Sequence, residues 1–247
     1  MTIPSGYTAL ACGPRRALVR DDLVPVLGPW LLRAPLSPPP GATVLGGGRG
    51  ATFRVALERG GAVIRFGRRG GIIGRFVREW YLDLSPRPWR ELGASVIARR
   101  RGAPVPEVLA VGVHGWGVYR SVVVTDEIAG ATTAFAALEA AAPGLARGAI
   151  AHAAGVAVAR LHAAGVVHPD LNLTNVLVGR EGATIVDLDR ARVYAGAVAA
   201  RTRLRSLRRL ARSARKLDPV GAVVDAHVCS MFHAAYGEAA RSDVCAP

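Results

Sequence analysis

Short apolar segments separated by glycine and proline dominate the first half of the chain, and longer stretches with helical spacing dominate the second half. Runs of four to eight apolar residues bounded by turn residues are typical of strands, whereas recurrence every three to four residues is typical of helices. Strands are predicted at 43–45, 52–57, 62–66, 108–113 and 117–125. Helices are predicted at 72–82, 86–101, 132–142, 145–165, 201–216 and 223–235. The pattern predicts an α+β fold with a small antiparallel sheet followed by a mainly helical part.

The run Ser37–Gly41, which contains three consecutive prolines, is the clearest break in the chain. It separates a lead-in at 1–42 from the first predicted strand. We predict a first lobe at 43–125 and a helical second lobe at 126–247, which together form a single domain.

The most informative stretch is His-Pro-Asp-Leu-Asn-Leu-Thr-Asn at 168–175. Asp170 precedes Asn175 by five residues, and an apolar strand follows Asn175. After a turn and a second apolar strand comes Asp187. In kinase-type sites an Asp in such a loop orients the attacking hydroxyl, and an Asn and a later Asp hold Mg²⁺ on the phosphates of ATP. The stretch predicts a two-lobed protein-kinase-like fold with Asp170 as the catalytic residue and Asn175 and Asp187 as metal ligands.

Three other residues of this stretch have predicted roles. His168 is expected to pack inward and support the loop rather than act as a base. Pro169 stands where regulated protein kinases keep an Arg, which argues against regulation by a phosphorylated loop. Asp189 can bind metal or cap nearby amides, and we favour the structural role.

Glycines at Gly46, Gly47, Gly48 and Gly50 lie between the first two predicted strands. Glycine lets a backbone approach phosphate oxygens closely, and kinases place their phosphate-covering loop at this position. A hairpin turn uses glycine for conformational reasons alone, so this alternative stays open.

The third predicted strand carries one cation, Arg65, where kinases carry a Lys that contacts the phosphates. Arg binds phosphate with a planar fork, so Arg65 can serve this role, or it can lie on the solvent face of an edge strand. Glu91 is our choice as its partner, and Glu79 is the alternative. The basic turn at Arg68 and Arg69 can contact an anionic acceptor or be solvated.

Residues Asp126, Glu127 and Ile128 follow the predicted hairpin at 108–125. In a kinase fold this segment connects the lobes, and its backbone groups can bind adenine. The side chains themselves do not identify a nucleotide.

The net charge of +14 favours partners that bear phosphate: nucleotides, nucleic acid or an anionic membrane surface. The segment 201–216 is rich in Arg with Leu at helical spacing, so it can lie on an anionic membrane or pack in the second lobe with its cations solvated. The three cysteines show no pair spacing, which indicates neither a disulfide framework nor a zinc site. The first 13 residues do not resemble a secretory signal.

These residues together resemble the lipopolysaccharide kinases, and within them the 3-deoxy-D-manno-octulosonic acid (Kdo) kinases. The matching features, spread over residues 45–217, are Gly-Gly-Arg-Gly at 47–50, Val-Ile-Arg at 63–65, Arg-Arg-Gly-Gly at 68–71, Gly-Ala-Pro-Val-Pro at 102–106, Thr-Asp-Glu-Ile-Ala-Gly-Ala at 125–131, Arg-Leu-His-Ala-Ala-Gly at 160–165, His-Pro-Asp-Leu-Asn at 168–172, Asp-Leu-Asp-Arg at 187–190 and Leu-Arg-Arg-Leu-Ala-Arg-Ser at 207–213. The loop at 168–175 is shared with other small-molecule kinases. The run from Arg65 to 71 and the Asp-Leu-Asp-Arg ending favour the Kdo kinases.

The resemblance implies transfer of the ATP γ-phosphate, with Mg²⁺, to the 4-hydroxyl of Kdo on a lipid A precursor. It implies a cytoplasmic protein peripheral on the inner membrane, whose anionic surface is a partner, and it disfavours nucleic acid. The alternatives are a related kinase acting on a core heptose, another small molecule or a protein, and an inactive kinase fold that only binds. Pro169 and the unmatched ends of the chain depart from the family pattern.

Overall fold

The computed structural model describes residues 3–45, 52–58, 60–67, 81–82, 87–116 and 118–242. The chain forms two compact units. The first comprises Met1–Val96 and Glu107–Glu127, and the second comprises Ile97–Pro106 and Ile128–Pro247.

The first unit is built on an eight-stranded antiparallel sheet. Its strands are β1 (Tyr7–Cys12), β2 (Arg15–Arg20), β3 (Thr43–Leu45), β4 (Thr52–Leu57), β5 (Gly60–Phe66), β6 (Tyr81–Leu82), β7 (Val108–Trp116) and β8 (Val118–Asp126). The order is β1-β2-β7-β8-β5-β4-β3, and β6 pairs with β8. Helix α1 (Val24–Leu31) follows a short 3-10 turn at Asp21–Leu23, and α2 (Arg87–Arg100) begins in this unit.

Side chains on successive strand positions point to opposite faces, and both faces of this sheet are covered. Val122 and Val124 pack in a cluster with Leu27 and Leu31 of α1. Val123, between them, packs in a second cluster with Leu92 of α2. The continuous valine run of β8 is therefore explained by burial on two sides.

The second unit is mainly helical. Its helices are the C-terminal end of α2, α3 (Ala134–Ala140), α4 (Leu145–Ala163), α5 (Ala200–Leu217) and α6 (Ala226–Ser242). Short strands β9 (Thr132–Thr133), β11 (Val176–Gly179) and β12 (Gly182–Ile185) form one antiparallel sheet, and β10 (Val166–Val167) pairs with β13 (Arg192–Val193). Helices α4 and α6 approach closely at Gly155, where an added Cβ would lie 2.5 Å from the Phe232 carbonyl oxygen. Within the described residues, no helix is long and apolar enough to cross a membrane.

The predicted α+β kinase-like fold is confirmed, as are the hairpin at 108–125 and the helix that carries Glu91. The residues predicted as a lead-in provide β1, β2 and α1 to the first unit. The helix predicted at 72–82 is wrong at its end, because Tyr81–Leu82 pair with β8 as a strand. The rest of that segment lies outside the described residues.

Candidate active site

The loop at 168–175 lies between β10 and β11 in the second unit, and a positive-φ glycine precedes it. Gly165 follows α4 with φ 75°, and an added Cβ would lie 2.4 Å from the carbonyl oxygen of Gly196. Only glycine suits both the left-handed backbone and this close approach. Gly165 therefore ends the helix and reverses the chain direction before the loop at 168–175.

His168 is buried, with 3% of its surface exposed. Its Nδ1 accepts a hydrogen bond from the backbone amide of Asp170 at 3.1 Å, so Nε2 carries the proton and donates to the Val186 carbonyl at 3.1 Å. Burial lowers the pKa of His168, which keeps the ring neutral in this role. His168 thus ties the loop to the segment that leads to Asp187, as the structural role requires.

Asn172 organises the rest of the loop. Its Oδ1 accepts hydrogen bonds from the amide of Thr174 at 2.8 Å, the hydroxyl of Thr174 at 2.5 Å and the amide of Asn175 at 3.0 Å. The Nδ2 of Asn175 donates to the carbonyl of Asp170 at 3.1 Å. These bonds bring Asp170 and Asn175 together on one turn. The role of Asn172 was missed, although Asn often forms an Asx turn, in which its side chain accepts from the backbone amide two residues on.

The carboxylate of Asp170 is about half exposed and contacts two arginines. Its Oδ2 lies 3.2 Å from Nη1 of Arg190, and its Oδ1 lies 3.6 Å from Nη1 of Arg209 on α5. Sequence reasoning gave neither arginine a role. Both lie in stretches that match the family, Arg190 at the end of the Asp-Leu-Asp-Arg run and Arg209 in the run at 207–213. Nothing in either run indicates a contact with Asp170, which is 39 positions from Arg209.

Asp187 follows β12 with φ 69°, a left-handed conformation that is uncommon for residues other than glycine. The preceding amide, of Val186, donates to the carbonyl of Asn175 at 3.0 Å. This backbone bond joins the last residue of the loop to the residue before Asp187. A left-handed backbone such as that of Asp187 is found most often at functional sites. Among the described residues there is no cluster of three or more His, Cys, Asp or Glu that could hold a metal ion.

In the first unit, Arg65 of β5 forms an ion pair with Glu91 of α2 through its Nη2 and the Glu91 Oε1. The Glu91 side chain is 5% exposed and the Arg65 side chain 34% exposed. A buried carboxylate needs a cation nearby, so this pair fixes the direction of the Arg65 guanidinium. The alternative partner, Glu79, lies outside the described residues.

The segment predicted to bind adenine divides between the units, with Asp126 and Glu127 in the first and Ile128 in the second. The Asp126 carboxylate accepts from the amide of Glu107 at 2.6 Å, and the Glu127 carboxylate pairs with Arg54 at 2.7 Å. The amide of Glu127 donates to Gly61 at 2.9 Å, and the carbonyl of Ile128 accepts from Ala131 at 3.1 Å. Several polar groups of this segment therefore make hydrogen bonds or ion pairs within the protein. The role of the segment in adenine binding stays a prediction.

Other predicted contacts lie outside the described residues. These are Gly46, Gly47, Gly48 and Gly50 of the glycine-rich run, and Arg68 and Arg69 of the basic turn. Of the remaining site residues, Asp170, Asn175 and Asp187 belong to one unit, while Arg65 and Glu91 belong to the other.

A strand-rich unit, a helical unit and an Asp-Asn loop followed by a strand pair and an Asp define a protein-kinase-like phosphotransferase. A solved structure described as WaaP in complex with acyl carrier protein has a similar fold, with a TM-score of 0.53 and 20% identity over 79% of this chain and 78% of that one. A family model, the Lipopolysaccharide kinase (Kdo/WaaP) family, matches residues 43–236. The chain belongs to this family, as its motifs predicted, and is a phosphotransferase that acts on a sugar hydroxyl.

Three relatives described as 3-deoxy-D-manno-octulosonic acid kinase are 30–33% identical to the chain over the aligned residues. The protein of Stenotrophomonas maltophilia (strain R551-3) is 33% identical over 72% of each chain. That of Xylella fastidiosa (strain 9a5c) is 31% identical over 69% of this chain and 68% of its own. That of Vibrio vulnificus (strain YJ016) is 30% identical over 60% of this chain and 64% of its own, so the match spans slightly less than two thirds of that relative.

Proposed function

We propose that this protein transfers the γ-phosphate of ATP to the 4-hydroxyl of Kdo on a lipid A precursor, while bound peripherally to the cytoplasmic side of the inner membrane. The observation that carries the proposal is the loop at 168–175. Its own hydrogen bonds hold Asp170 and Asn175 on one turn and leave the Asp170 carboxylate half exposed. The names of the relatives support Kdo as the acceptor sugar.

Asp170 is the group that orients the acceptor hydroxyl and receives its proton. A general base must come within about 3 Å of the proton that it abstracts. The carboxylate is accessible enough for this, and the backbone of Asp170 is held by His168 and Asn175. Catalysis then rests on positioning the hydroxyl rather than on creating a strong base.

Asn175 and Asp187 are the residues that would hold Mg²⁺. The fit rests on donor chemistry: Nδ2 of Asn175 is turned to the Asp170 carbonyl, which leaves its Oδ1 as the metal-binding atom, and Asp187 adds a carboxylate. Mg²⁺ prefers oxygen ligands and takes one or two from the protein, the others from phosphates and water. When bound, the ion would neutralise charge on the phosphates of ATP.

Arg65 is the phosphate-binding cation of the first unit. Glu91 pairs with the guanidinium, and the Arg65 side chain is about one-third exposed, so a phosphate of ATP is proposed to bind its planar fork. The glycine-rich run at 46–50 is proposed to cover the phosphates, and Asp126 to Ile128 to bind adenine through their backbone.

Membrane attachment is proposed from charge. The net charge of +14 would attract the protein to an anionic lipid surface. This also suits an acceptor that carries phosphate groups and a carboxylate.

The test is phosphate transfer from labelled ATP to purified Kdo–lipid A precursor with Mg²⁺. Wild type is compared with Asp170→Asn and with Glu181→Gln, a control at an exposed acid in the β11–β12 turn of the same unit. We expect transfer by wild type and Glu181→Gln, and a loss of at least about 10³-fold in kcat for Asp170→Asn. Product analysis by NMR would locate the new phosphate.

Two results would contradict the proposal. Transfer to a heptose-bearing core but not to Kdo would replace the acceptor and keep the kinase. Full activity of Asp170→Asn would remove Asp170 from the reaction.

A further inference from the structure

A cleft of about 820 Å³ lies in the second unit, between the loop at 168–175 and helix α5. Six of its thirteen lining residues are arginines: Arg192, Arg205, Arg208, Arg209, Arg212 and Arg215. Arginine makes up about one residue in eight of the whole chain, so the lining is far richer in arginine than the chain. Among the described residues, none that lines the cleft is acidic.

The arginines lie on one side of α5, since positions 205, 208, 209, 212 and 215 recur every three to four residues. At a rise of about 1.5 Å per residue, they form a row about 15 Å long. Within the described part of the chain, no ion pair neutralises Arg205, Arg208, Arg212 or Arg215. A row of cations of this density repels itself and is stabilised by a ligand with several negative charges.

The cleft also lies next to the candidate catalytic residue. His168 and Pro169, which immediately precede Asp170, line it, and Arg209 both lines it and reaches within 3.6 Å of the Asp170 carboxylate. The acceptor hydroxyl must come to Asp170, so the rest of the acceptor must occupy the space beside it.

Ser206 also lines the cleft, but it belongs to the buried side of α5 together with Leu210 and Ala214. The arginines on the exposed side of the helix are therefore the groups that a ligand in the cleft would contact.

From these contacts we propose that the cleft is the acceptor subsite, and that Arg205, Arg208 and Arg212 bind phosphate groups of a sugar acceptor while its hydroxyl lies at Asp170. The inference rests on the proposed function and deepens it. It assigns the cations of α5 to the substrate rather than to the membrane surface. Arginine suits this role because its planar fork binds two oxygens of one phosphate.

The test compares two doubly substituted proteins that lose the same charge. Arg208→Gln/Arg212→Gln changes the cleft, while Arg201→Gln/Lys216→Gln changes exposed cations of the same helix outside the lining. The probe is a soluble bisphosphorylated glucosamine disaccharide that carries Kdo and lacks acyl chains. Its binding is measured by calorimetry, its phosphorylation by steady-state kinetics, and membrane binding by sedimentation with phosphatidylglycerol vesicles.

We expect the cleft variant to bind the probe about 100-fold more weakly. This is about tenfold, or about 1.4 kcal/mol, for each arginine. The acceptor KM should rise accordingly, with kcat within about threefold and the KM for ATP unchanged. The control variant should bind the probe as wild type does. Vesicle binding should fall equally in both variants, because it follows net charge.

Three results would overturn the cleft assignment. They are no binding of the probe to wild type, an equal loss of probe binding in both variants, and a cleft variant in which only vesicle binding or only the KM for ATP changes. The proposed function can fail separately. If the cleft binds the probe but the bound probe is not phosphorylated, the subsite stands and the Kdo reaction does not.

Discussion

Two acid–arginine arrangements, one in each unit, differ in burial. Glu91 is buried and pairs with Arg65, whose side chain is about one-third exposed. Asp170 is half exposed and contacts two arginines, Arg190 and Arg209, at 3.2 and 3.6 Å. The first arrangement fixes a cation in one place, and the second leaves a carboxylate able to exchange partners.

The difference matches what each group is proposed to do. A cation that clamps phosphates works best when its orientation is set before the ligand arrives. A carboxylate that receives a proton must contact an incoming hydroxyl, so its partners have to yield. Exposed ion pairs contribute little to stability and can be exchanged at small cost, whereas breaking a buried pair leaves a charge without compensation.

Among the substitutions considered, Arg65→Met should reduce stability the most. It removes the arginine that pairs with the buried Glu91 carboxylate, and we expect the free energy of unfolding to fall by about 3 kcal/mol. Urea denaturation would measure this. Arg54→Met is the matched control, because Arg54 lies on the neighbouring strand and its pair with Glu127 is more exposed. Equal losses in the two variants would show that burial does not distinguish the pairs.

A second prediction concerns buried histidines. Burial, with a smaller effect of Arg203, lowers the pKa of His162 to about 4, while the unfolded value is about 6.5. The folded state therefore binds fewer protons, so the stabilisation is complete above pH 6.5 and is lost as the pH falls towards 4. The expected loss is about 2–3 kcal/mol, and the lowered pKa of His168 acts in the same direction.

Denaturation measured from pH 7 to pH 4 would test this. His162→Gln should flatten the dependence, while His152→Gln, at an exposed position of the same helix, should leave it unchanged. If the free energy of unfolding of His162→Gln falls with pH as steeply as that of wild type, other groups cause the acid sensitivity.

The sequence was sufficient for the parts of the site that depend on local spacing. The stretch 168–175, the strand pair after it and Asp187 could be predicted because a loop and a hairpin are set by neighbouring residues. The inward role of His168 follows from the same local pattern. Glu91 was correctly placed near the start of a helix by periodicity alone.

Other parts depend on contacts that spacing does not encode. Strand β1 has only partly buried or exposed residues, so its pattern gave no clear strand signal, and pairing with β2 decides its structure. The contact of Arg209 with Asp170 joins residues 39 positions apart and follows from how α5 packs. From the sequence alone, the basic side chains of α5 are equally compatible with solvent, a membrane or a ligand. The structure adds the cleft that they line.

A third prediction tests how firmly the loop presents Asp170. Asn172→Ala removes an oxygen that accepts three hydrogen bonds, and we expect about 2 kcal/mol lower stability and a kcat reduced about 100-fold. Asn172→Asp keeps the acceptor and should recover most of both losses. Failure of the Asp variant to recover activity would mean that Asn172 acts through its amide nitrogen instead, which donates to the Asp170 carbonyl.

The smallest expected effects belong to the exposed pairs. Arg190→Met and Arg209→Met should each change the free energy of unfolding by less than about 0.5 kcal/mol. Double-mutant cycles with Asp170→Asn should give coupling energies of the same size, and these should shrink further in 0.5 M salt, which screens exposed charges. The cycle for Arg65 and Glu91 should give at least about 1.5 kcal/mol and depend little on salt. A strong, salt-resistant coupling of Asp170 with Arg209 would reverse the comparison, since the carboxylate would then be fixed by α5 and a hydroxyl could reach it only by displacing that helix's arginine.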